Sequence, residues 1–205
     1  MANSHLKLIY FDGMGRAEAA RLLLVAAGKQ FDDIRLPEED WPQHSHLAPF
    51  GQCPLLVVDG VTYAQSVAIK TYLARELGFY GHSNIESLQI DQLVQLIEDL
   101  TNICVPVVIL TDEEQKRKEL ARIKADVSPI YLGHLERLLK ENGTGYFVDN
   151  RLTLADLVAF DVVTGMLKDY VDVTEKYPLL QKNVDIVRSD GKIRPYVKSR
   201  PITPF

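Results

Sequence analysis

A tyrosine at the end of a short apolar strand is the first residue of this sequence that could do chemistry. Tyr10 ends the alternating segment that begins at Leu6, and a glycine-bearing turn, Phe11–Gly15, follows it. Active-site groups favour such strand ends in α/β layers. A tyrosine hydroxyl, with an ordinary pKa of about 10, can donate a hydrogen bond to an anion while it stays neutral. For an isolated tyrosine, the alternative of a partly buried core residue is the commoner situation.

A second candidate site lies where a predicted hairpin meets the start of a helix. Leu55 to Val58 and Val61 to Ala64 are predicted strands joined by Asp59-Gly60, a dipeptide that suits a type I′ turn. Gln65-Ser66 then opens a helical pattern that runs to about Leu77. Free N–H groups at a helix N-terminus favour an anionic ligand. Taken alone, the segment is better explained as a structural hairpin followed by a helix with Ser66 as its N-cap.

The other reactive side chains form no recognisable catalytic or metal-binding set. Cys53 has no partner His or second Cys in the sequence pattern, so a core thiol explains it better than a nucleophile. His44 and His46 are too weak a pair to indicate a metal site, and we expect no metal. Asp99 stands beside Glu98 in a mostly apolar helix, where it faces a partner or a cleft, or is an ordinary solvated carboxylate.

Composition restricts the class of protein. The chain has 205 residues, of which 46% are hydrophobic and 25% charged, as in ordinary soluble globular proteins. The net charge of −5 and the absence of a basic run give little support for nucleic-acid binding. No signal-peptide pattern and no apolar stretch of about 18 residues is present, so we expect no membrane association. Two cysteines far apart in sequence fit a reduced, cytoplasmic protein.

The order of predicted elements divides the chain near residue 81. Before it, a strand, a helix from Arg16 closed by Gly28, a second strand over 31–36, a polar irregular segment over 37–47 and the hairpin indicate a small α/β layer. After it, helical spacing dominates, with interruptions at Pro106 and Pro129. Further signals in this part are a C-cap at Gly143, a capping box at Thr153–Asp156, and helices over 178–188 and 192–198. We expect an α/β domain over 1–81 joined to an all-helical domain over 83–205.

An ordered set of motifs resembles the cytosolic glutathione S-transferases along essentially the whole chain. The motifs are Tyr10-Phe11, Gly15–Glu18, Asp40–Pro42, Pro49–Pro54, Gln65-Ser66 with Ala68-Ile69, and Leu152–Asp156. The Tyr-Phe start, the Trp-Pro pair and the ending Arg200-Pro201 resemble the sigma class, which includes detoxification enzymes and the glutathione-dependent prostaglandin D synthase. This resemblance implies a thioredoxin-like domain followed by a helical bundle, a cytoplasmic homodimer, and glutathione as co-substrate.

The resemblance also implies a role for each matching residue. Tyr10 would be the catalytic residue, donating its hydroxyl to the glutathione sulfur and so favouring the thiolate. Arg16 would support the electrostatics near it. The remaining glutathione contacts would come from Trp41 and Gln52 at the glycine end, the Cys53 backbone with a cis Pro54 at the cysteinyl unit, and Gln65 and Ser66 at the γ-glutamyl carboxylate. Asp99 would reach the ligand's amino group across the dimer interface.

Two positions depart from the sigma-class pattern. Ser45 stands where many members carry a basic residue that contacts the glycine carboxylate of glutathione, so glutathione binding is expected to be weaker. Gln52 stands where some members have lysine. The pocket for the second substrate would draw on Phe11, Met14 and the residues 105–108, whose geometry the sequence does not reveal.

Three functions from different classes are compatible with these residues. The first is a transferase that conjugates glutathione to small hydrophobic electrophiles. The second is a glutathione-dependent isomerase of the prostaglandin type, which would use the same Tyr10 and thiolate. The third is non-catalytic, either a carrier of hydrophobic ligands or a lens-type structural relative. The low count of three Met argues against the lens-type relative. We place the transferase first. A glutaredoxin-like reductase would need a cysteine after the first strand, and none is present.

Overall fold

The computed structural model describes residues 5–173 and 175–203, and its Cα packing separates them into two units. The first unit holds the described residues up to Tyr80 together with those from Asp190 onward, and the second is Gly81–Ser189. The first unit contains the sheet and the second is helical. No helix in the described ranges is both long enough and apolar enough to cross a membrane.

The strands form one mixed sheet in the order β2-β1-β3-β4. They are β1 Leu6–Phe11, β2 Asp32–Leu36, β3 Leu55–Val58 and β4 Val61–Ala64. β2 is parallel to β1, whereas β3 is antiparallel to both β1 and β4. Asp59 and Gly60 have φ values of 50° and 88°, the two positive angles that a type I′ turn requires, so the predicted hairpin is confirmed.

The α-helices alternate with the strands first and then follow one another. They are α1 Glu18–Ala27, α2 Trp41–His44, α3 Ser66–Leu77, α4 Asn84–Val108, α5 Glu113–Arg122, α6 Ser128–Asn142, α7 Leu154–Thr164, α8 Pro178–Ser189 and α9 Ile193–Ser199. Gly28 and Gly143 both adopt the left-handed conformation that ends a helix, as predicted, with φ values of 69° and 73°. The predicted α/β layer followed by helices is therefore confirmed.

The segment over 37–47 differs from the prediction of an irregular connection. It consists of consecutive helical turns, with Glu38–Asp40 and Ser45–Leu47 as 3₁₀ turns on either side of α2. Pro42 lies in the first turn of α2, where its missing N–H breaks no hydrogen bond. Turns of three or four residues are too short to show a hydrophobic period, so the sequence pattern did not reveal them.

The second unit confirms the predicted interruption near Pro129 and the capping box, whereas the interruption predicted at Pro106 is absent from the described helix. Residues Ile123–Val127 form a π-helical stretch that joins α5 to α6 just before Pro129. α4 runs through Pro106 and ends two residues later. At the start of α7, the Thr153 N–H donates to Asp156 Oδ2 at 2.8 Å, the reciprocal half of a capping box.

α9 belongs to the first unit. This helix packs on α1, although it follows the helices of the second unit in sequence. Ile193 at its start is fully buried. The sequence pattern predicted one helical domain over 83–205, because helical spacing does not reveal which partner a helix packs against.

Candidate functional site

The sheet topology brings three predicted site segments to one edge. β1 and β4 both run antiparallel to β3, so their carboxyl ends meet at the edge where β3 begins. Ile9 pairs with Leu55, and the same register places Phe11 opposite Cys53; Leu55 pairs with Ala64, which places Gln65 beside Pro54. The end of β1, the start of β3 and the start of α3 are therefore neighbours. Their site residues are Tyr10, Cys53, Pro54, Gln65 and Ser66.

The hydroxyl of Tyr10 is neutral and accepts a hydrogen bond from a backbone N–H of the following turn. Its side chain is 7% exposed, and the Arg16 N–H donates to Tyr10 Oη at 3.3 Å. Burial raises the pKa of Tyr10, and the hydrogen bond from Arg16 and the charge of that residue oppose the rise only partly. The phenol therefore stays protonated at neutral pH. Because Arg16 uses a lone pair of the oxygen, the hydroxyl proton is left to donate elsewhere.

Gly15 makes room for the Tyr10 ring. A Cβ atom on Gly15 would lie 2.5 Å from Tyr10 Oη and 2.7 Å from ring atom Cε1, closer than real contacts allow. The φ of Gly15 is also positive, at 40°, which disfavours any side chain. In the sequence this glycine is only one member of a turn. Its contact with Tyr10 could not be read from the sequence, because the contact depends on how the turn folds back over β1.

Cys53 and Pro54 lie where β3 begins. The bond between them is cis, as the resemblance implied. Burial is the main reason that the pKa of Cys53 is raised to about 11, so its thiol is protonated at neutral pH. This agrees with the sequence-based preference for a packed thiol over a nucleophile. Cys53 packs against the small apolar cluster of Ala48, Leu55 and Ala64.

Gln65 and Gln52 form a polar pair at the start of α3. Gln65 Nε2 donates to Gln52 Oε1 at 3.2 Å, and both side chains are exposed. Gln65 has φ 76° and ψ 109° and occupies the N-cap position, so the predicted N-cap role of Ser66 is wrong. The chain leaves β4 at Ala64 and must turn within one residue, which shifts the helix start by one position. The Gln65 side chain makes no cap hydrogen bond to the helix, so the first N–H groups of α3 point toward this edge uncapped.

Trp41 stands at the beginning of α2 and contacts the end of β1. Its ring meets the Phe11 ring edge-on, with centroids 5.8 Å apart, and Phe11 in turn lies 5.2 Å from the Tyr10 ring. Trp41 thus belongs to the same region as Tyr10. Four residues later, Ser45 Oγ donates to the Pro42 carbonyl at 3.2 Å and completes the local turn.

Asp99 lies on α4 in the second unit. Its side chain is exposed and accepts a hydrogen bond from Gln95 at 3.4 Å, whereas Glu98 beside it is 7% exposed. Val105 and Val108, predicted to face the second substrate, are half-buried on the same helix. An exposed carboxylate fits either a ligand contact supplied to another chain or a solvated position.

Comparisons with known proteins agree with this geometry. The family model described as the glutathione S-transferase N-terminal domain matches residues 6–75, and the one described as the C-terminal domain matches residues 98–200. Glutathione S-transferase 1 of Ascaris suum is 36% identical over 97% of this chain and 98% of its own. A solved sigma-class structure from Fasciola hepatica aligns with a TM-score of 0.88 at 31% identity, covering 98% of this chain and 99% of its own. A prostaglandin synthase D structure from Nilaparvata lugens also aligns at 0.88, with 29% identity and 97% and 100% coverage.

Proposed function

The chain belongs to the glutathione S-transferase family, and we propose that its transferase chemistry is centred on the Tyr10 hydroxyl. A free thiol has a pKa near 8.5, so only a small fraction of unbound glutathione is thiolate at neutral pH. A hydrogen bond from Tyr10 to the glutathione sulfur stabilises the charged form and lowers that pKa. The thiolate then attacks an electrophilic carbon, a carbon–sulfur bond forms, and the leaving group departs with its electron pair. The observation that carries this proposal is a buried, neutral Tyr10 whose oxygen already accepts the Arg16 N–H.

The rest of the sheet edge supplies groups suited to the two ends of glutathione. The uncapped N-terminus of α3, with Gln65 and Ser66, favours the γ-glutamyl carboxylate through N–H groups and the helix dipole. We assign Gln52, which accepts from Gln65, and Trp41, which packs on Phe11, to the glycine end. The backbone of Cys53, held beside cis Pro54, offers its N–H and carbonyl to the cysteinyl unit. Ser45 is uncharged, and its hydroxyl is bonded to the Pro42 carbonyl of its own turn. It therefore supplies no positive charge to the glycine carboxylate, and we expect a higher glutathione KM than in relatives with a basic residue there.

A matched pair of measurements tests the role of Tyr10. Tyr10→Phe keeps the ring and removes only the donor, so the free energy of unfolding should change little. Turnover should fall on the order of 10²-fold, as when one donor aimed at a developing anion is lost. The pKa of bound glutathione, followed by the ultraviolet absorbance of the thiolate against pH, should rise toward its value in free solution. Equal titrations and equal turnover in both proteins would show that Tyr10 is not the activating group.

We also propose a homodimer, supported by an apolar groove on the first unit. The groove has a volume of about 430 Å³ and is lined by side chains that include Pro49, Phe50, Tyr63 and Tyr72. Phe50 is 66% exposed and Tyr63 52% exposed, which is unusual for large apolar side chains so close together. A second copy of the chain would cover this surface and bring its Asp99 to the glutathione amino group. Phe50→Asp should convert a protein with the mass of two chains, measured by light scattering, into one with the mass of a single chain.

Asp99→Asn separates a ligand role from a solvated carboxylate. Losing one charge-assisted contact should raise the KM for glutathione roughly tenfold, with kcat and thermal unfolding nearly unchanged. Asp126→Asn, the same change at another exposed carboxylate of that unit, serves as the control and should leave KM as it is. A KM unchanged in Asp99→Asn would restore the solvated interpretation.

Small hydrophobic electrophiles are the proposed second substrates, in a cytoplasmic detoxification role of the sigma-class kind. The resemblance to a prostaglandin synthase D structure favours one alternative, a glutathione-dependent isomerase that uses the same thiolate. An activity panel with an aryl halide, a hydroperoxide and a prostaglandin endoperoxide decides between them. The transferase proposal expects conjugation of the aryl halide to exceed turnover of the endoperoxide.

A further inference from the structure

A chain of alternating charges runs through the first unit from its C-terminal segment to the turn after β1. Its members, in order of contact, are Arg200, Glu18, Arg21, Asp33, Arg35 and Asp12. The successive nitrogen–oxygen distances are 2.8, 3.3, 2.9, 2.9 and 3.2 Å. Three guanidinium groups therefore balance three carboxylates. The two ends of this charge chain come from opposite ends of the sequence.

The centre of the charge chain is buried, so each charged group there needs an oppositely charged or hydrogen-bonding partner. The side chains of Glu18 and Arg21 are both 0% exposed. A buried charge is strongly unfavourable unless opposite charges and hydrogen bonds surround it. Glu18 obtains its extra partners from α9 and the residue that follows it. The Tyr196 hydroxyl lies 3.0 and 3.1 Å from the two Glu18 oxygens, and Arg200 Nη1 lies 2.8 Å from Oε1.

Tyr196 is a fixed donor to this carboxylate. Burial and the adjacent Glu18 charge raise the pKa of the Tyr196 hydroxyl, so it keeps its proton throughout the working pH range. Because its acceptor is a carboxylate, this hydrogen bond to Glu18 is charge-assisted, although it is 3.0–3.1 Å long. Tyr196 thus contributes a permanent link between α9 and the first turn of α1.

The charge chain touches the turn that carries the Tyr10 contact at two points. Arg21 Nη1 donates to the Gly13 carbonyl at 2.6 Å and lies 3.4 Å from the Met14 carbonyl, while Arg35 Nη1 donates to Asp12 at 3.2 Å. This turn leads directly into Arg16, whose N–H donates to the Tyr10 oxygen. The position of the Tyr10 hydroxyl therefore depends on a turn that Arg21 holds, and Arg21 is paired with Glu18.

From these contacts we infer that Tyr196 and Arg200 are positioning residues for glutathione activation, acting through Glu18 and Arg21 on the turn that fixes Tyr10. The inference rests on the proposed role of Tyr10. If α9 served only to pack on α1, the loss of the Tyr196 or Arg200 donor would lower stability but would not change glutathione activation by the folded protein. If it positions Tyr10, the same loss alters the Glu18–Arg21 geometry and moves the N–H that the Tyr10 oxygen accepts.

Tyr196→Phe tests the inference with the smallest change in the buried cluster. Turnover should fall about tenfold, since small misplacements of a catalytic group produce losses of this kind. The KM for glutathione should stay within about twofold, because the ligand's carboxylates bind elsewhere. The pKa of bound glutathione, measured by thiolate absorbance, should rise. Tyr177→Phe is the matched control: its hydroxyl lies 3.5 Å from the Pro129 carbonyl in the second unit, and turnover and titration should not change.

Arg200 allows a second pair of variants, one that removes its positive charge and one that keeps it. Arg200→Gln removes the charge and should shift the bound-thiol titration in the same direction as Tyr196→Phe, whereas Arg200→Lys keeps the charge and should restore most of the wild-type titration. All measurements are made on the whole 205-residue chain, at a temperature where thermal unfolding shows each variant to be folded. Lower unfolding temperatures combined with wild-type titration and turnover in Tyr196→Phe and Arg200→Gln would overturn the inference.

Tyr10→Phe, measured in parallel, separates the two proposals. If the pKa of bound glutathione changes in Tyr10→Phe but not in Tyr196→Phe, only the proposed role of α9 is contradicted. An unchanged titration in Tyr10→Phe contradicts the role of Tyr10 itself, and with it the mechanism through which Tyr196 and Arg200 are inferred to act.

Discussion

The start of α7 and the end of β1 both place polar groups in buried surroundings, but they use them differently. At α7, Asp156 is fully buried and accepts from the Thr153 N–H, the Thr153 hydroxyl, the Phe147 N–H and Asn183, at 2.8 to 3.0 Å. Those donors belong to the protein and fill both carboxylate oxygens. All of these hydrogen bonds to Asp156 are therefore made within the protein rather than to a ligand.

The β1 end directs its polar groups outward. Tyr10 accepts from Arg16 and keeps a proton to donate, and the first N–H groups of α3 have no side-chain cap from Gln65. A folded protein gains most stability when buried polar groups pair with each other, whereas a site gains function when some of them pair only with a ligand. The comparison predicts that changes at α7 alter stability and changes at β1 alter activity.

Asp156→Ala should have the largest effect. It leaves the donors of Thr153, Phe147 and Asn183 without their shared acceptor, and breaking such a buried network costs about 3 kcal/mol or more of unfolding free energy. Urea unfolding measures the loss, and kcat per folded molecule should stay near wild type. Asp185→Ala on α8, an exposed carboxylate paired with Arg188, is the control and should lose less than about 0.5 kcal/mol. A stable Asp156→Ala protein with low kcat would reverse the comparison.

Gly15→Ala should come next, with its effect on activity. The new methyl group overlaps the Tyr10 hydroxyl and ring, so the hydroxyl must move away from the Arg16 N–H that it accepts. We expect turnover to fall about tenfold, equivalent to about 1.4 kcal/mol of transition-state stabilisation. Steady-state kinetics with an aryl halide measures it. Gly133→Ala on α6 provides a control, because a Cβ there meets no neighbour and alanine should stabilise the helix by about 0.5–1 kcal/mol. Equal kinetics in both variants would mean that Tyr10 tolerates displacement.

Thr153→Ala should have the smallest effect of the three. Loss of an N-cap side chain costs about 1 kcal/mol and at most about 2. The Asp156 carboxylate keeps its backbone donors, so the loss should stay well below that of Asp156→Ala. The folded protein should keep its activity, which enzyme assays after a stability measurement can check. Selective loss of activity in a fully stable variant would contradict a purely structural role for the capping box.

The sequence by itself determined the features that depend on a few adjacent residues. Asp59-Gly60 specified the hairpin because both residues tolerate positive φ, and Gly28 and Gly143 specified helix ends for the same reason. The Thr153–Asp156 capping box was readable because its hydrogen bonds join residues three apart. The order of motifs identified the family, and from it the candidate residues of the site.

Only the tertiary structure decided the features that join distant segments. Gln65 displaced Ser66 from the N-cap position because the chain must turn from β4 into α3 within one residue. The closeness of Gly15 to the Tyr10 ring depends on how one turn folds over its strand. The contact between Glu18 and Tyr196 spans 178 residues. Local patterns encode backbone angles and helix faces, but the partner of a buried charge is chosen by packing, which no local pattern of residues contains.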